Sequence, residues 1–124
     1  MLAIHSATAS FKQTSSYFDI LGGRFTTHGK IEPFECRPTS HDELFAGLPA
    51  FTIQDELYIH EQRSNVTVHF WAEQDGRQVP VVWTCQYGEG RVCYACPGHT
   101  SETMRHPIYQ QVLLRGLGWV TGTL

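Results

Sequence analysis

The sequence predicts a single α/β domain, and three of its features carry that prediction. The chain opens on an apolar segment, Leu2-Ala3-Ile4, that runs directly into the polar His5-Ser6-Ala7-Thr8, as a buried strand opening into a loop does. Its middle is a series of segments in which apolar and polar residues alternate, as on half-buried strands. Its end changes period: from Pro107 onward, Ile108, Val112, Leu113, Leu117 and Val120 recur at helical spacing. With 124 residues, 41% hydrophobic and 17% charged, the chain has an ordinary globular balance and can bury a core. No repeat, low-complexity stretch or linker divides residues 1–124.

After the opening strand, Thr14 or Ser15 can cap a short helix carrying Tyr17, Phe18, Ile20 and Leu21, which stops at Gly22-Gly23 and gives way to a loop. Ile31–Arg37 alternates imperfectly, and Pro33 suits an edge or entry position because it has no amide to give a neighbouring strand. Ser40 and Glu43 stand at capping-box spacing and predict a helical turn ending near Gly47, before Pro49. Phe51, Ile53, Leu57 and Ile59 predict a strand interrupted by the acidic pair Asp55-Glu56. Val66, Val68 and Phe70 share one face of the next strand, which turns His69 toward solvent. Asp75-Gly76 leads into Val79–Tyr87, and Gly88-Glu89-Gly90 closes a hairpin with Arg91–Cys96. Pro107 fits a first helical position, where its missing amide would be unpaired anyway, and Gly122 can end that helix.

Charge and composition exclude several functions. A net charge of -3 with no Lys/Arg run offers nothing to a phosphate backbone, so nucleic acid is not an expected partner. No apolar run approaches the ~20 residues of a membrane span, and the first residues lack the charged and apolar regions of a secretory leader. The four cysteines are then expected as reduced thiols in a cytoplasmic protein. Cys93 and Cys96 form a Cys-x-x-Cys, but three residues apart on a strand they face opposite ways, and Cys36 and Cys85 are isolated. Structural cysteines are expected rather than a metal or redox pair.

Polar residues at strand ends are the better candidates. His99 lies just past the carboxyl end of the Arg91–Cys96 strand, and His5 stands at the same end of the first strand. That edge is where open α/β sheets bind ligands. Asp55-Glu56 puts two charges into an apolar strand, which is costly unless they are paired or used.

Taken together, "IHSATASF", "YFDILGGRFTTHGKIEPFE", "GLPAFTIQDELYI", "VPVVWTCQYGEGRVCYACPGHT" and "HPIYQQVLLRGLGWV" resemble the carboxyl-terminal part of ThuA-like, trehalose-utilisation family domains over nearly the whole chain. The resemblance implies a flavodoxin-like, class I glutamine amidotransferase-like three-layer sandwich with a parallel sheet. It also implies that an amino-terminal portion, roughly two βα units of ~30 residues each, is lacking, so that the chain is a fragment, has a misassigned start, or is completed by a second copy or another chain. Amidotransferase relatives place a nucleophilic cysteine where this sequence has the His5-Ser6 turn, so glutaminase chemistry is not expected.

The family's association with sugar catabolism implies a sugar or keto-sugar substrate and hydrolase, lyase or isomerase chemistry. His5, His28, Glu56 and His99 are then the expected catalytic set and the expected ligands of a divalent metal such as zinc, with no nucleotide cofactor. Ser6, Asp55 and Thr100 are expected substrate contacts; Ser6 also suits a loop cap, and Asp55 also suits pairing with an arginine such as Arg24. His41, His60, His69 and His106 are read as structural, and Trp71, Trp83 and Trp119 as packing residues. The alternatives are a carbohydrate- or partner-binding module without catalysis, and an inactive fragment.

Overall fold

A computed structural model describes residues 1–124. In chain order the elements are β1 (Leu2–Ile4), a 3-10 turn (His5–Ala9), α1 (Ser15–Leu21), β2 (Gly23–His28), β3 (Glu32–Pro38), β4 (Phe51–Asp55), β5 (Tyr58–Gln62), β6 (Thr67–Gln74), β7 (Arg77–Tyr87), β8 (Gly90–Ala95), α2 (Ser101–Arg105) and α3 (Pro107–Thr121). Six strands form one sheet in the order β1-β8-β7-β6-β3-β4, while β2 and β5 form a separate antiparallel ribbon. Within these residues the sheet is mixed: β1 and β8 run parallel, and the other neighbours run antiparallel.

Side chains of β7 and β8 alternate between the two faces and recruit a helix to each. Trp83 Nε1 donates to the Leu21 carbonyl at 2.8 Å and the Cys85 thiol to Ile20 at 3.4 Å, which seats α1 on one face. On the other face α3 comes so close to β8 that a Cβ on Gly116 would sit 2.8 Å from Cys93 Sγ. The result is helix, sheet, helix. Trp83, Tyr94, Phe70, Val81, Val82, Tyr109 and Val112 are buried between the layers.

The strongest sequence signals reappear as built. Asp75 and Gly76 both have positive φ, the twist a two-residue hairpin needs, and Gly88 does the same for β7 and β8. His106 caps α3, its Nδ1 accepting from the Ile108 amide at 3.2 Å, and Gly122 ends it in the left-handed region. Pro33 pairs with β4 alone, because β6 meets β3 only at Arg37 and Pro38.

Four expectations are corrected. Ser40 and Glu43 form no capping box: Asp42 Oδ1 accepts the Phe45 amide at 2.8 Å instead, and the segment stays a turn. Phe51–Ile59 is two strands, since the chain leaves the main sheet after Asp55 and joins the ribbon at Tyr58. His69 is buried, not solvent-facing. Two steps on β6, Val68 to Phe70, oppose one step on β7, Trp83 to Val82, and this bulge breaks the alternation. Finally, the loop after Gly23 is strand β2, and α2 follows Thr100 as a helix that the sequence pattern did not suggest.

Candidate functional site

Parallel pairing of β1 with β8 brings their carboxyl ends side by side, so His5 and the Pro97-Gly98-His99 loop emerge at one edge. The chain turns sharply at His5, whose φ of 50° is rare for a residue with a side chain. Its carbonyl accepts the Tyr94 hydroxyl at 2.8 Å, and its ring lies stacked on Tyr58 with centroids 4.2 Å apart. Gly98 makes room, since a Cβ there would sit 2.8 Å from the His5 Cβ. The His5 ring is oriented by its Nδ1, which is 2.9 Å from the Cys96 carbonyl and must carry the proton to bond it.

Asp55 organises the other side of the site. It is fully buried, so it contacts neither solvent nor Arg24, which pairs with Glu61 at 2.8 Å. The expected arginine partner is replaced by four donors: the His99 amide at 3.0 Å, the Gly98 amide at 3.3 Å, the Glu56 amide at 2.8 Å and the Thr103 hydroxyl at 2.6 Å. A carboxylate can be buried on such terms because each oxygen is satisfied. By holding the amides of Glu56 and His99 at once, Asp55 sets two chain segments that are remote in sequence.

Glu56 then projects into the edge, where three imidazoles meet it. His99 Nδ1 lies 3.4 Å and His5 Nε2 3.5 Å from Oε2, and His28 Nδ1 lies 3.8 Å from Oε1. Exposure is graded: the side chains of His5 and Glu56 are 11% and 12% accessible, those of His28 and His99 41% and 43%. The approach to the carboxylate is therefore past His28 and His99.

The donor set fits a cation. One ligand atom from each of His5, Glu56 and His99 lies within 4.8 Å of the others. With the His5 Nδ1 proton used on Cys96, the Nε2 of the neutral ring presents a lone pair to a carboxylate oxygen, an arrangement of two acceptors that needs a proton or a metal ion between them. His28 stands beside this group rather than in it, because its Nδ1 is engaged by the Gly29 carbonyl at 2.6 Å.

The remaining expected contacts have mixed placements. Ser6 is exposed on the 3-10 turn. Thr100 is the N-cap of α2, its hydroxyl accepting the Thr103 amide at 3.2 Å. Burial raises the Cys93 and Cys96 thiols to about 12, and Cys96 Sγ accepts the Tyr58 amide at 3.4 Å, so these cysteines are packing groups. Thr8 and Tyr94, to which sequence reasoning gave no role, lie hydrogen-bonded beneath His5 together with His60, which was read as structural. Burial, and secondarily the nearby His5, pushes His60 down to about 3.

The sequence pattern of the ThuA family, described as trehalose utilisation, matches residues 1–120. The chain belongs to the ThuA family. Its fold is similar to that of a ThuA-like protein from Parabacteroides merdae, with a TM-score of 0.83 and 21% identity over 99% of this chain and 61% of that one. Two cytoplasmic proteins of Salmonella typhimurium are also similar, with TM-scores of 0.71 and 0.69 at 14% and 13% identity. They match 97% and 94% of this chain but 53% and 52% of their own, so this ThuA chain spans between about half and three fifths of those structures. No curated protein matches it significantly. No helix is long and apolar enough to cross a membrane.

Proposed function

We propose that this ThuA chain acts on a sugar or keto-sugar in the cytoplasm, using His5, Glu56 and His99 around a divalent metal such as zinc. The observation that supports this most directly is the meeting of three imidazoles on one largely buried carboxylate at the strand tips. The family's link to trehalose utilisation supplies the substrate class. Glutaminase chemistry has no support, since the turn that would carry the thiolate carries His5, and all four cysteines are buried.

When bound, the metal polarises a sugar carbonyl or hydroxyl as a Lewis acid. The chain's own residues do the rest. Glu56 would hold the ion through Oε2, which faces His5 and His99, leaving Oε1 to take a proton from the carbon beside a carbonyl or from a hydroxyl. His28, outside the proposed ligand set, can return a proton to the product oxygen. His28 flanks the entrance and can hold a substrate hydroxyl through Nε2, since Nδ1 faces Gly29. Tyr58 closes the floor by stacking on His5.

Thermal unfolding with added zinc, manganese or iron tests the reading. A ligand that binds only the folded chain stabilises it, by about 2.7 kcal/mol at a hundred times its dissociation constant. The wild-type melting temperature should rise by several degrees with at least one ion, and His99→Ala should abolish the rise. No shift with any of the three ions removes the metal reading.

A further inference from the structure

We propose that Tyr94, Thr8 and His60 are positioning residues for this centre: a buried one-way chain of hydrogen bonds holds the His5 backbone in its left-handed turn and so aims Nε2 at Glu56 and His99. The inference rests on the metal reading above and adds residues outside the ligand set. It starts from the strain at His5. A non-glycine residue at φ 50° is strained, and persists only where its surroundings over-determine it.

The direction of each bond follows from proton counting. Tyr94 has one hydroxyl proton, and it goes to the His5 carbonyl at 2.8 Å. Tyr94 Oη is then the acceptor for Thr8, whose hydroxyl lies 3.1 Å away and has a second, longer approach of 3.3 Å to the same His5 carbonyl. With its proton so used, Thr8 Oγ1 accepts from His60 Nε2 at 2.8 Å, which makes Nε2 the protonated nitrogen of a neutral ring. Each hydroxyl donates and accepts once, the arrangement in which successive bonds strengthen one another.

The chain is also placed to be rigid. Tyr94 is fully buried and Thr8 almost so. The three residues come from β8, the 3-10 turn and β5, so the chain ties the main sheet, the turn and the ribbon together beneath His5. Strand β5 reaches the same histidine a second time, through the ring of Tyr58. Tyr94 meets its packing needs with its ring, tilted against Trp83 with centroids 4.3 Å apart, which leaves the hydroxyl free for the His5 carbonyl.

The test is titration of the full chain with Zn²⁺, together with the visible spectrum of its Co²⁺ form, for wild type, Tyr94→Phe, Thr8→Val and Thr8→Ser. Partners that orient a metal ligand from behind are worth roughly 10–100-fold in affinity. Tyr94→Phe and Thr8→Val should therefore weaken zinc binding about ten-fold and shift the cobalt absorption. Thr8→Ser keeps the hydroxyl and should behave as wild type. Unchanged affinity and spectrum in folded Tyr94→Phe and Thr8→Val overturn the proposal. If wild type binds neither ion, the metal reading has failed and the positioning claim is judged on the His5 ring NMR signals. These should move in Tyr94→Phe and Thr8→Val and stay in place in Thr8→Ser; identical signals in all four proteins overturn it.

Discussion

Two histidine–carboxylate clusters sit in this molecule, one inside the sheet and one at its edge, and they differ in what each leaves unspent. In the interior, His69 Nδ1 bonds Asp42 Oδ2 and Nε2 lies 2.7 Å from the Thr84 hydroxyl, while the other Asp42 oxygen accepts the Phe45 amide. Every polar atom has its own partner, and both side chains are nearly sealed from solvent. At the edge, one carboxylate is shared among three rings at 3.4 to 3.8 Å, too far for a good hydrogen bond to any of them. Burial does not separate a structural histidine from a reactive one. Unused bonding capacity does, because a site must have a group left over for its ligand.

The largest expected effect breaks the interior cluster. Asp42→Ala strips His69 of its carboxylate and leaves the Phe45 amide unpaired, and removing one partner of a buried pair costs about 3–5 kcal/mol. Urea unfolding should show that loss while zinc titration stays unchanged. Glu56→Gln should do the reverse: a smaller stability loss than Asp42→Ala, because its contacts to the three rings are all 3.4 Å or longer, but with zinc binding lost. Equal destabilisation by both changes would erase the distinction between the clusters.

His60 extends the comparison to pH. Its folded value of about 3 lies below the ordinary 6.5, so it stays neutral in the native chain while the unfolded chain takes up a proton as pH falls. Its contribution is constant above about pH 7 and declines through the window from about 6.5 to about 3, at ~1.4 kcal/mol per pH unit, or roughly 2 kcal/mol by pH 5. His60→Gln offers Thr8 an N–H donor without the titration. Unfolding free energies from pH 7.5 to 4.5 should fall less steeply in the variant, and parallel curves would rule this origin out.

A smaller effect separates scaffold from site at Thr100. Its hydroxyl caps α2, so Thr100→Ala should cost about 1 kcal/mol in urea unfolding, the usual worth of an N-cap. Zinc affinity should be unchanged. A loss of substrate affinity beyond that stability cost would restore the expectation that Thr100 touches the sugar.

The same contrast explains what the sequence revealed. His5 and His99 were legible because strand ends follow from periodicity, and Glu56 because charge in an apolar strand needs a reason. The bonds of Asp55 were not legible: its donors lie up to 48 residues away and include backbone amides, which carry no residue signature. His69 was misread because a bulge inverts alternation without altering composition. The Ser40–Glu43 motif lost to Asp42, whose own side chain closes a turn of the same span two residues further on. The split of Phe51–Ile59 was hidden because alternation tells which face a residue takes but not which sheet it joins. Thr8 and Tyr94 escaped, and His60 was read only as structural, because their bonds run across three elements.

The smallest expected effect concerns His28, and it tests how many rings the edge cluster needs. Its Nδ1 is closer to the Gly29 carbonyl, at 2.6 Å, than to Glu56, at 3.8 Å, and the side chain is well exposed. His28→Ala removes a surface ring that lies stacked over Tyr58 with centroids 5.7 Å apart, a change expected within about 0.5 kcal/mol of neutral. Zinc affinity measured by titration should drop by no more than a few-fold, against its loss in His99→Ala. Abolition of binding by His28→Ala would mean that the ring turns its Nε2 inward and that four side chains, not three, make the centre. That outcome would also move the approach to Glu56 to the His99 side alone, because His28 would then be part of the wall rather than the gate.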